Sequence, residues 1–229
     1  MCGFLALLIA ACGESATAPD AATPDASMPD ATAKDSTAND TGTNDSASTC
    51  QPEALDAFAP KFVPPSMLSV CTSNQIQGYY TACIDANHTT MQCNAFRSAP
   101  ANASCIACLI TPFGSSAYGA TMAWHNGDSL VSNVAGCVAT IDGDESPTSC
   151  AAKFQAWVSC QISACMHCDP GHYLECQMPA ATGACGAYEA AAQCELDGKY
   201  SPCHGSFQAN FLSFGAVFCG AGSSDASTD

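Results

Sequence analysis

The sequence predicts a mainly α-helical, disulfide-rich fold with one β-hairpin near residues 120–134. Three observations carry that expectation: 18 cysteines in 229 residues, several short segments with helical spacing of apolar residues, and Asn126-Gly127 set between two apolar runs. So many thiols stay open in a reducing compartment and become cross-links in an oxidising one, so export is expected.

Helices are expected over residues 73–84, 89–99, 101–110, 149–165, 184–196 and 206–218, which mix Ala, Gln, Met, Leu and aromatics behind polar or small starts. In the fourth of these, Phe154, Trp157 and Val158 share one face. The hairpin joins residues 120–124 to 129–134 through His125-Asn126-Gly127-Asp128, since Asn-Gly between apolar runs favours a tight turn.

Residues 4–11 form a short apolar run, too short to span a bilayer, that ends in small residues before Cys12. Ile9, Ala10, Ala11 and Cys12 resemble the cleavage site of a bacterial lipoprotein signal, which implies a mature chain that starts at a lipidated Cys12. Gly13 in the next position resembles outer-membrane sorting. A positive leader is missing from Met1-Cys2-Gly3 and is expected upstream. Residues 13–49 carry almost only Ala, Asp, Thr, Ser and Pro, with Asp20, Asp25, Asp30, Asp35, Asp40 and Asp45 at a period of five. Such a tract buries too little apolar surface to offset its ordering entropy. It reads as a disordered tether spanning roughly 35 Å as a coil and about 110 Å drawn out. Residues 220–229 read as a disordered tail.

The domain between them, residues 50–219, holds Cys50, Cys71, Cys83, Cys93, Cys105, Cys108, Cys137, Cys150, Cys160, Cys165, Cys168, Cys176, Cys185, Cys194, Cys203 and Cys219. All sixteen are expected in disulfides, in one of about two million pairings. The Cys-x9-Cys pairs Cys83/Cys93 and Cys150/Cys160, each followed by Cys-x2-Cys, hint at an internal duplication.

The net charge of −16 gives no attraction to phosphate backbones, so nucleic acid is excluded as a partner. Seven acids face Lys34 up to residue 49, so the tether carries −6 and the rest −10. Neither part offers a basic face to anionic lipid. The expected membrane contact is the lipid anchor alone, beside an unknown extracellular ligand or envelope protein.

Cys165-Met166-His167-Cys168 has the spacing of dithiol redox centres, but it ends a helix and no strand precedes it, so structural disulfides are the expected state. Cys105 and Cys108, three apart on a helix, suit bridges to neighbours better than one to each other. Cys165, Cys168, His172 and Cys176 come near a zinc-knuckle pattern, each loop one residue short, with oxidation competing for the thiols. Asp142-Gly143-Asp144-Glu145-Ser146 reads as a solvated turn ahead of a calcium loop. The Asn-x-Ser/Thr triplets at Asn87 and Asn102 matter only in a eukaryotic secretory route. Tyr79, Tyr80, Tyr118 and Trp124 read as core, with a recognition platform as the rival. No hydrolase, metalloprotease, phosphate-loop or dinucleotide motif occurs, and no cofactor is expected.

One stretch carries a family likeness. Phe96 through Cys108, then Tyr118-Gly119-Ala120, then Asn133-Val134-Ala135-Gly136-Cys137 resemble cysteine-rich secreted lipoproteins of soil bacteria of the myxobacterial kind. The likeness covers about a fifth of the chain. It carries over no activity and no catalytic residue; with the lipobox-like start, the tether and the cysteines, the expected protein is an outer-membrane, lipid-anchored envelope protein with a structural or ligand-binding domain. The alternative is a secreted thiol-redox or metal-binding protein built on Cys165, Cys168, His172 and Cys176.

Overall fold

The computed structural model describes residues 10–11, 50–55, 58–124, 127 and 129–221. The signal segment other than Ala10–Ala11, the tether with Cys12, and residues 222–229 lie outside the described residues. The fold is mainly α and disulfide-rich, with a small sheet at its centre.

Local chemistry sets most helix starts. Thr72 and Thr89 accept from the backbone N–H of Gln75 and Gln92, whose side chains reach back to the cap backbone, opening α1 (Ser73–Cys83) and α2 (Thr90–Ser98). A turn of 3₁₀ helix at Pro100–Asn102 leads into α3 (Ala103–Leu109). Ser149 caps α5 (Cys150–Cys165) and Ser206 caps α8 (Phe207–Phe214), which runs on as a π turn, Gly215–Cys219. The expected helix over 184–196 divides into α7 (Gly186–Ala192) and a 3₁₀ turn, Gln193–Leu196.

Four elements depart from the sequence reading. The hairpin forms between β3 (Thr121–Trp124) and β4 (Ser129–Ser132), with Met122 opposite Val131. It stops short of Val134 because buried Asn133 accepts from Gly136 N–H and starts α4 (Val134–Asp142). Gly143, at φ +61°, ends that helix in the left-handed region. Helix α6 (Tyr173–Thr182) fills a stretch read as a cysteine and histidine motif, with Pro179 tolerated inside it. The expected helix over 101–110 ends one residue early, and Ile110 opens β2 (Ile110–Pro112), parallel to β3. The segment Ala10–Ala11, β1, pairs with the outer edge of β4, giving the order β1-β4-β3-β2.

Eight disulfides join all sixteen cysteines from Cys50 to Cys219, and they sort into two groups. Cys71–Cys105, Cys83–Cys93 and Cys108–Cys219 bind α1, α2, α3 and the π turn into one lobe. Cys137–Cys203, Cys150–Cys194, Cys160–Cys185, Cys165–Cys176 and Cys50–Cys168 bind α4 to α7 and the 3₁₀ turns after α7 into the other. Among these bridges none crosses from lobe to lobe. The two Cys-x9-Cys pairs are also wired differently: Cys83 meets Cys93, whereas Cys150 and Cys160 meet Cys194 and Cys185.

The lobes are joined by the sheet and by a strap ahead of α1. Glu53 N–H bonds Ala164 O on the second lobe, Ser66 N–H bonds Tyr118 O beside the sheet, and Cys71 N–H bonds Cys219 O on the first. Gly119 permits the close approach at this centre, since a Cβ there would stand 1.5 Å from Cys108 O. Beyond the expected end of the domain, Ala221 N–H bonds Cys71 O and Gly220 bridges Cys71, so these two residues of the stretch read as tail are tied to the domain.

Candidate functional site

Between the lobes lies a groove of about 730 Å³, within the range of small-ligand sites. Its floor is apolar. Ile106 and Ala107 come from α3, Ile110 from β2, Phe113 from the turn after it, and Ala123 and Trp124 from β3. Met166, at the end of α5, supplies the lip from the second lobe and is well exposed. Tyr79 and Arg97 close the end on the first lobe.

The polar groups here are few. Arg97 donates to the Tyr79 hydroxyl (2.8 Å) and sits over the Tyr79 ring, 5.7 Å from its centroid. It is the sole arginine of the chain, and no carboxylate pairs with it among the described residues. Trp124 is buried with its ring tilted against Tyr173 at 5.1 Å, and among the described residues its Nε1–H has no acceptor. A buried donor without an acceptor is uncommon and costly in a folded protein. Burial also raises the Tyr173 phenol above the ordinary tyrosine range, despite the Gln177 amide that donates to it.

Of the four aromatics read as core or platform, Tyr79, Tyr118 and Trp124 are buried and Tyr80 is half-buried. Tyr79 and Trp124 alone reach the groove. The part sequence reasoning missed is Arg97: the sole arginine in so acidic a chain was a signal, but nothing local ties it to Trp124, 27 residues away.

The cysteine cluster forms a second centre. Cys165 bonds Cys176 and Cys168 bonds Cys50, so the Cys-x2-Cys pair is split between two bridges, as is the pair Cys105 and Cys108. The sulfurs of Cys50, Cys168 and Cys176 lie within 4.8 Å of one another, while His172 stands exposed outside that group. The imidazole drawn to the cluster is instead that of His167, whose Nε2 is 3.4 Å from Cys50 Sγ and 3.8 Å from Cys168 Sγ, with Glu53 3.5 Å from its Nδ1.

The acidic turn is committed elsewhere. Asp142 accepts from the Tyr200 hydroxyl and from Lys199 Nζ, and these two donors hold its carboxyl below the usual range. Asp144 accepts from Ser146 N–H. Asn102 binds Phe96 O and Gln75, and Asn87 lies on an exposed turn with Asp85. A buried pair that the sequence did not announce joins Glu195 to His204: the imidazole bonds Glu195 O, and Glu195 Oε2 lies 2.7 Å from it without an aligned hydrogen bond. Comparison with family models, curated proteins and solved structures finds no match to this chain.

Proposed function

We propose that this chain is a lipid-anchored envelope protein whose stapled domain binds a ligand in the inter-lobe groove. The observation that carries the reading is the closure of all sixteen domain cysteines into disulfides, which belongs to an oxidising, extracytoplasmic setting. Among the described residues no helix is long and apolar enough to cross a membrane; in this reading the attachment is the lipid on Cys12. The acidic tether then holds the domain clear of the surface. Cleavage before Cys12 removes β1 and leaves β4 as a sheet edge. Expression in a bacterium with two membranes, followed by mass measurement of the first mature peptide, tests this. A diacylated or triacylated Cys12 and an outer-membrane fraction are expected, with Cys12→Ser soluble; an unmodified Cys12 in a membrane-free protein overturns the anchor.

One observation favours a second reading, thiol exchange at the cysteine cluster. His167 lies against the half-buried Cys50, and the sulfur of Cys176, bonded to Cys165, lies within 4.8 Å of that of Cys168. An imidazolium beside a leaving thiolate lowers its pKa and speeds exchange. Alkylation under mild reductant, read by peptide mapping, decides it: labelling of Cys50 and Cys168 well ahead of the other fourteen supports exchange. Uniform resistance ends it.

A further inference from the structure

We propose that the inter-lobe groove takes a small amphiphile with an acidic head, of the medium-chain carboxylate class; this rests on the binding role given above. The lining sets the class. Among the described residues, the groove has an apolar floor of Ile106, Ile110, Phe113 and Trp124, one cation, and no carboxylate, in a chain with 21 acids. An apolar wall selects hydrocarbon and places no demand on its shape beyond fit. The polar end selects charge. Arg97 spends one donor on Tyr79 and keeps the rest of its planar fork for a partner, and a guanidinium fork matches the two oxygens of a carboxylate. The ring of Tyr79 holds the guanidinium at the groove end, so less side-chain freedom is lost when a ligand arrives.

Trp124, whose Nε1–H is without an acceptor among the described residues, as are Trp157 Nε1–H and Gln161 Nε2, lines the same groove. It gives a reporter as well as a wall, because the second tryptophan, Trp157, packs on Phe154 in the other lobe. The net negative charge works against anions at long range, so the selection for an acidic head comes from contact with Arg97 and not from the overall field.

The test uses the intact chain labelled with ¹⁵N at the indoles, with Trp157→Phe for assignment. Decanoate, 1-decanol and acetate are titrated separately. Decanoate is expected to move the Trp124 indole signal saturably and leave that of Trp157 in place, with 1-decanol at least tenfold weaker and acetate without effect. In Arg97→Gln, an exposed position where the fold is retained and checked by an unmoved Trp157 signal, decanoate affinity falls at least tenfold. Equal shifts from 1-decanol and decanoate, or an unchanged affinity in Arg97→Gln, overturn the acidic class and leave a ligand groove. A Trp124 signal that no probe moves overturns the groove reading as well.

Discussion

Asn133 shows how much one buried amide holds in place. Fully buried, it donates to Gly119 O (2.9 Å) and Tyr118 O (3.3 Å) and accepts from Gly136 N–H (2.8 Å), so it caps α4 while satisfying the backbone ahead of β3. Asn133→Ala loses a cap worth about 1 kcal/mol and strands the carbonyl of Gly119 at about 1–3 kcal/mol, while Tyr118 O keeps Ser66 N–H. A loss of about 3 kcal/mol in urea unfolding is expected; a loss under 1 kcal/mol shows that water replaces the amide. Glu195 behaves in the opposite sense. Burial raises its carboxyl above the ordinary value, outweighing the nearby His204, so the protonated form is favoured by folding. That contribution is present in full below about pH 4, the unfolded value, and is lost as pH rises through the raised folded value. Glu195→Gln, which mimics the protonated acid, therefore matches the parent in thermal midpoint near pH 4 and exceeds it at pH 7. A midpoint below the parent at pH 7 means that the ion contact with His204 outweighs desolvation.

At the scale of elements, the same cross-link chemistry has unequal effects. Cys108–Cys219 closes a separation of 111 residues and Cys83–Cys93 one of 10. In the chain-entropy account these constrain the unfolded state by about 5 and about 3 kcal/mol. Replacing each pair by serines is expected to cost about 2 kcal/mol more for the long loop, and α3 with the π turn to loosen together. Equal costs would show that local packing, not loop closure, governs. The elements legible in the sequence were those with local instructions: the threonine and serine caps of α1, α2, α5 and α8, and the Asn-Gly hairpin. Val134 to Ala139 had an apolar run that a strand or a helix satisfies equally, and the choice was made by Asn133 reaching Tyr118 and Gly119. Strand β2 was illegible because its partner lies 11 residues on, across a turn. The groove was half legible, since Tyr79 and Trp124 stood out as aromatics while Arg97 joins them only through the packing of α1, α2 and the sheet.

For the whole molecule, stapling is divided and the centre is not stapled. Each lobe carries its own disulfides, and among the described residues no disulfide joins them; the sheet, the strap before α1 and the chain after Cys203 run between them. Oxidised, each lobe has a strongly restricted unfolded state, so local opening concentrates where no bridge crosses, which is also where the groove lies. With only five Lys and Arg, trypsin reports poorly on this chain, and thermolysin is the suitable probe. The oxidised domain is expected to lose first the strap and sheet connections, yielding nicked species that stay joined on a gel without reductant. Reduction removes eight loop constraints at once from a core in which cysteines are themselves prominent buried residues, so cleavage should then spread through both lobes and accelerate by orders of magnitude. Cleavage at the same rate with and without reductant would mean that packing alone sustains the fold. In that event the cysteines would have to be explained by their chemistry, and the His167 cluster would be the place to look.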